Sequence, residues 1–128
     1  MSYYFSKIVD IVFDEAINKV TEELKKERFG VLTEINVKEA LKKKLNVDFT
    51  KYRILGACNP QYAYKALQIE DKTGTMLPCN VIVQERDDGK VEIAAIDPVA
   101  SMQSVKNETL KDIAARAQAK LKQVIENI

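Results

Sequence analysis

The dipeptide Asp88-Gly89 lies between two apolar runs, Cys79 to Arg86 and Val91 to Ile96. An Asp-Gly pair in that position is among the strongest short-range signals for a β-hairpin. It makes the two runs antiparallel neighbours, because parallel partners need a long crossover between them. The sheet of this chain therefore contains an antiparallel pair near its C-terminal end.

The remaining elements fit around that hairpin. Tyr3 to Val9 is rich in aromatic and β-branched residues and reads as a first strand. Phe13, Ile17, Val20 and Leu24 recur at helical spacing, which predicts a helix from about Phe13 to Arg28 with Gly30 as its stop. Val31 to Asn36 reads as a second strand. Asn36 and Glu39 resemble a capping box that opens a short helix, about Val37 to Leu45.

Tyr52 to Ala57 reads as the third strand. Asn59-Pro60 places a capping residue before Pro at the first helical position, and the helix so opened, about Pro60 to Glu70, turns Ala63, Ala66 and Leu67 inward. Asp71 to Gly74 is a turn. From Asn107 to Ile128, the residues Leu110, Ile113, Ala114, Ala117, Leu121, Val124 and Ile128 form one continuous apolar stripe. The order is β-α-β-α-β-α-β-β-α over a single domain, residues 1–128. The short second helix and the tight hairpin favour an α+β fold, a largely antiparallel sheet with the long helices on one face.

Composition excludes several functions. The chain has no His, which removes His-based acid/base catalysis, Ser-His-Asp triads and every His-containing zinc motif. The four glycines are scattered and form no phosphate-binding loop, so no nucleotide cofactor is expected. Twenty basic and nineteen acidic side chains are interspersed, which argues against a nucleic-acid partner. The Lys42-Lys43-Lys44 run, beside Glu39 and Asp48, reads as a solvated helix face. The longest charge-free stretches, Ile54–Tyr64 and Thr73–Gln84, are too short to span a bilayer. No signal peptide is legible, and two cysteines do not make a disulfide framework, so a reducing cytoplasm is the expected setting.

Residues able to do chemistry gather at strand ends: Cys58 and Asn59, then Cys79 and Asn80, then Asp97, with Met102 just beyond. If the strands lie side by side, these ends line one concavity. Cys58 precedes a helix N-terminus, whose N–H groups favour a thiolate; the default reading is a small buried apolar residue, as a free cysteine usually is. Cys58, Cys79 and Met102 are weak candidates for a soft metal, since two sulfurs do not complete a tetrahedral site. Asn59 reads as a cap. Asn80, in an apolar strand, needs partners from a loop, a dimer mate or a ligand. Glu34 and Glu85 are carboxylates on separate strands with a solvated face as the default, and Asp97 before Pro98 suits a turn.

Five blocks, Phe13-Asp14-Glu15-Ala16, Gly30 to Ile35, Tyr52 to Pro60, Leu77 to Val81 and Ala95 to Pro98, resemble the domain-of-unknown-function family 302 along essentially the whole chain. The resemblance implies a compact α+β domain similar to one repeat of the TATA-binding-protein fold, a bacterial or archaeal cytoplasmic setting and a homodimer. It maps the family's short motifs onto Glu34, Gly56, Asn59, Pro60, Leu77, Pro78, Asp97 and Pro98. Some branches lack both cysteines of the pattern, which weighs against a family-wide thiol mechanism. It does not imply DNA binding, because a fold does not carry a function.

These observations lead to a non-enzymatic, homodimeric binding module with a small-ligand or anion pocket near Cys58 and Asn59, contacted by Glu34, Asn80 and Asp97. Two alternatives stay open: a soft-metal carrier or redox protein using Cys58 and Cys79, and a purely structural interaction module.

Overall fold

The computed structural model describes residues 2–128. Five strands form one sheet: β1 (Tyr4–Val9), β2 (Gly30–Asn36), β3 (Tyr52–Cys58), β4 (Cys79–Glu85) and β5 (Val91–Ile96). Their order across the sheet is β1-β5-β4-β3-β2, and every neighbouring pair is antiparallel. The helices are α1 (Phe13–Lys26), α2 (Val37–Leu45), α3 (Pro60–Ile69), α4 (Pro98–Ser101) and α5 (Glu108–Glu126). The α+β order read from the sequence is therefore present, with two additions. The turn at Asp71 is a 3-10 helix, Asp71–Met76, and Asp97-Pro98 opens the one-turn helix α4.

The hairpin closes as its turn residues dictate. Arg86 N–H donates to the Lys90 carbonyl at 2.8 Å, and Gly89 takes φ +83°, which a side chain would resist. Asp88 Oδ1 accepts from Lys90 N–H at 3.0 Å, and that bond first, then the Arg86 charge, holds the Asp88 carboxyl below its ordinary range.

The end of α1 differs from expectation. Arg28, not Gly30, takes the left-handed conformation, at φ +66°. Phe29 N–H then reaches back to the Leu24 carbonyl (2.9 Å) and Arg28 N–H to that of Lys25 (3.0 Å). This is a Schellman closure, and the buried pair Leu24 and Phe29 supplies the apolar contact that accompanies it. Gly30 is already the first residue of β2. The packing repays the cost of a left-handed arginine, a term that local propensity does not contain.

The two long helices α1 and α5 pack together on one face of the sheet. Phe13, Ala16, Val20 and Leu24 of α1 meet Ala117, Leu121, Val124 and Ile125 of α5, and the core is completed by Leu55, Val81, Val83, Val91, Ile93 and Ala95. Strand alternation decides this: residues two apart share a face. Lys7 Nζ donates to the carbonyls of Ile128 (2.6 Å) and Glu126 (3.2 Å), satisfying the end of α5 from β1. A second, smaller cluster joins Ala66 of α3 to Leu110 and Ile113 of α5. Leu67 does not turn inward as expected. It is 42% exposed, because α3 packs with only one narrow side, and it lies over the 3-10 turn at Gly74.

Candidate functional site

The strand ends do converge, but only in part. Cys58, Asn59, Cys79 and Met102 line one cavity beneath α3, walled by Ala66, Ala114 and other apolar side chains. Its volume is about 40 Å³. That is room for a water or two, well below the several hundred Å³ of a metabolite pocket. Asn59 is 6% exposed, and its Oδ1 accepts from Tyr62 N–H at 3.3 Å while its carbonyl accepts from Ala63 N–H at 3.0 Å. The Tyr62 and Ala63 N–H groups are thus engaged by the cap itself, and Pro60 has no N–H to offer an anion. We expect Asn59→Ala to lower folding stability by about 1 kcal/mol in denaturant unfolding, the usual loss for a removed cap.

The other sequence candidates lie apart from this cavity. Asp97 caps α4 through Val99 N–H (3.0 Å), and both its carboxylate oxygens accept from Gln118 Nε2 of α5, at 3.0 and 3.1 Å. Glu34 is on the β2 edge, paired with Arg53 at 2.6 Å, and Arg53 also lies over the Phe13 ring. Asn80 is exposed on the opposite face of the sheet from the helices. Glu85 closes β4 near the hairpin, its N–H donating to the Lys51 carbonyl. No group of three or more Cys, Asp or Glu able to hold a metal exists among the described residues, and no described helix is long and apolar enough to cross a membrane.

The face that carries Asn80 holds the larger concavity. Ile35, Ile54, Ile82 and Ala94 stand opposite one another across β2, β3, β4 and β5, forming an apolar row away from the helices. Beside it runs a trough of about 390 Å³. Its floor is Ile82, Ala94 and Ile96; Tyr3 and Tyr4 stand on one side and Tyr52 on the other; Asn80, Gln84 and Glu92 supply polar groups. Glu92 Oε1 meets Gln84 Nε2 and Arg86 Nη1 at 3.5 Å each, both long contacts. Burial first, then the nearness of Tyr3 and Glu92, pushes the Tyr52 hydroxyl upward, so it stays a neutral phenol. Sequence reasoning found Asn80 and missed the tyrosines and Glu92. Their signal was the alternation itself: Tyr52, Ile54, then Gly56, and Asn80, Ile82, Gln84, share the side left uncovered.

The whole chain has relatives of known shape. The family described as Domain of unknown function DUF302 matches residues 5–128. The chain belongs to the DUF302 family. It is similar to a crystal structure of an uncharacterized conserved DUF302 protein from Bacillus stearothermophilus, with 31% identity, 98% of each chain covered and a TM-score of 0.90. No curated protein matches it.

The DUF302 blocks now acquire a physical reading. A Cβ on Gly56 would collide with Thr33 Oγ1 of β2 and lie 2.8 Å from Pro78 Cγ, so the glycine of one block makes room for the threonine and the proline of two others. The Leu77–Pro78 bond is cis.

The two cysteines of this DUF302 chain are both free. Burial pushes the Cys58 thiol up, opposite to the lowering expected before a helix N-terminus, and burial plus Cys58 pushes Cys79 up to about 11. Both are protonated at neutral pH, which disfavours nucleophilic and redox roles. The stability that the protonated Cys79 contributes is fully present below the ordinary value of 9.0 and is lost as pH rises toward about 11. Alkaline unfolding of Cys79→Ala should therefore show a shallower fall over that window than the parent chain.

Proposed function

We propose that this DUF302 chain is a non-enzymatic, homodimeric binding module whose ligand site is the trough on the uncovered sheet face. The observation that carries the reading is the trough's chemistry, because two other surface concavities, beside Gln68 and beside Ser104, have similar volumes. At about 390 Å³ it matches small-molecule sites, with an apolar floor, aromatic walls and a few convergent polar groups. The Cys58–Asn59 cavity offers a tenth of that space, and its two thiols are held protonated. A likeness to a TATA-binding-protein repeat supports no nucleic-acid partner here, because no Lys or Arg lines the trough.

The β2 edge favours the dimer. It is seven residues long, Gly30–Asn36, and contains neither Lys nor Pro, residues that block edge pairing, although its register against β3 shifts between Val31 and Thr33. Leu32 on it is 68% exposed. Pairing of β2 with a second copy leaves the trough, bounded by side chains of β1 and β3, open to solvent.

Thermal-shift and calorimetric titration against a small-molecule panel tests the site. A ligand at about a hundred times its Kd raises stability by about 2.7 kcal/mol. Ala94→Trp, which fills the trough floor, should abolish that rise, and Asn59→Ala should not. A flat panel, or binding indifferent to Ala94→Trp, sinks the ligand reading. Sedimentation of the parent chain as a monomer sinks the dimer reading, for which Leu32→Lys is the dissociating variant.

A further inference from the structure

We infer that the trough binds an organic cation, a small alkylammonium or quaternary ammonium group held between tyrosine faces and Glu92. The inference rests on the trough being a ligand site and names what enters it.

Three observations carry it. The first is the aromatic corner. The rings of Tyr3 and Tyr4 are 5.0 Å apart at an interplanar angle of 70°, so they present two surfaces nearly at right angles. Tyr52 stands across from them. Ring faces are electron-rich and attract a cation placed over them, most strongly where water is excluded.

The second is charge. Glu92 is the single ionisable carboxylate among the lining residues, and no cationic side chain accompanies it there. Arg86 reaches Glu92 only at 3.5 Å and is shared with Asp88, also at 3.5 Å. Glu92 Oε2 takes no hydrogen bond from any described residue. Arg86 offsets the Glu92 charge in part but does not line the trough, so inside it a cation meets the carboxylate while an anion finds no cationic side chain to contact.

The third is preorganisation. Asp97 N–H donates to the Tyr3 carbonyl at 2.8 Å, fixing the backbone that carries the first ring. The Phe49 ring packs 6.0 Å from that of Tyr52, bracing the opposite wall. A fixed backbone on one side and a ring contact on the other reduce the freedom lost when a ligand enters.

Choline, tetramethylammonium and 3,3-dimethylbutan-1-ol, the uncharged carbon counterpart of choline, test the assignment on the intact chain. Both cations should bind, with their methyl proton resonances moved upfield by the ring faces. The uncharged alcohol should bind about three- to tenfold more weakly, the scale of a partly exposed cation–ring contact. Tyr52→Leu should weaken choline by about tenfold, whereas Tyr52→Phe, which keeps the ring, should leave it nearly unchanged. Glu92→Gln should weaken choline and leave the alcohol unaffected. Circular dichroism and thermal melts establish that each variant is folded.

Equal affinity for choline and the alcohol overturns the cation assignment and leaves the trough a ligand site. Failure of both cations, while another compound binds in a manner lost with Ala94→Trp, overturns it in the same way. Silence from every compound overturns the site and the cation together.

Discussion

Gly56→Ala is expected to destabilise the domain by about 1–3 kcal/mol, the range for an inserted methyl in a packed interior with nowhere to go. The added carbon meets Thr33 Oγ1 from β2 on one side and the Pro78 ring, 2.8 Å away, on the other. The threonine can rotate its hydroxyl aside, but the proline ring cannot. Thr33→Ala in the same chain should therefore recover part of the loss, and the remainder belongs to Pro78. Chemical denaturation of the two single variants and the double variant measures this directly, because residues in contact are expected to be non-additive. A Gly56→Ala midpoint equal to that of the parent chain would refute the account.

Leu121→Ala is expected to cost more, about 2–5 kcal/mol, with a fall in melting temperature on the order of 10 °C. Leu121 is fully buried on α5, in the cluster where α5 meets α1 and the sheet. The loss is the transfer free energy of the missing atoms plus the cavity they leave. Thermal and denaturant unfolding should agree on its size, and a loss below about 1 kcal/mol would mean that the helices close over the gap.

Periodicity and turn chemistry carried most of the architecture. The bounds of α2 and β5 coincide with the spans read from the sequence, Val37–Leu45 and Val91–Ile96, because each is bracketed by a strong local signal. Asn36, Asn59 and Asn107 all cap the helices they precede. What local signals could not carry is the set of long-range choices. Arg28 ends α1 because Phe29 and Leu24 bury together, a contact that pattern alone does not announce. Leu67 is apolar yet exposed, since the single side of α3 that packs is taken by Ala66.

The candidate site was less legible for a related reason. Cys58, Asn59, Cys79 and Met102 are close, as their places at strand ends suggested, but the side chains around them fill the space. Asn80 lies on the other face because it alternates with Cys79 and Val81. The trough brings Tyr4, Tyr52 and Glu92 together from three strands, β1, β3 and β5, whose order in the sheet, β1-β5-β4-β3, is not written in the chain order.

That same order has a consequence for how the chain comes to be folded. Tyr4 at the start of β1 pairs with Ile96 at the end of β5, so the first strand made waits for almost the last. The β4–β5 hairpin closes locally, and β3 adds to it across α3 and the 3-10 turn. The seat for β1 exists only once β5 is in place, and closing so long a loop is slow. Until then β5 is an open edge, able to accept a strand from a neighbouring molecule. The Lys7 contact to the end of α5 shows what the late strand gains on arrival: it locks the first element to the last. A chain shortened by its first strand should therefore form most of its helix and fail by aggregating.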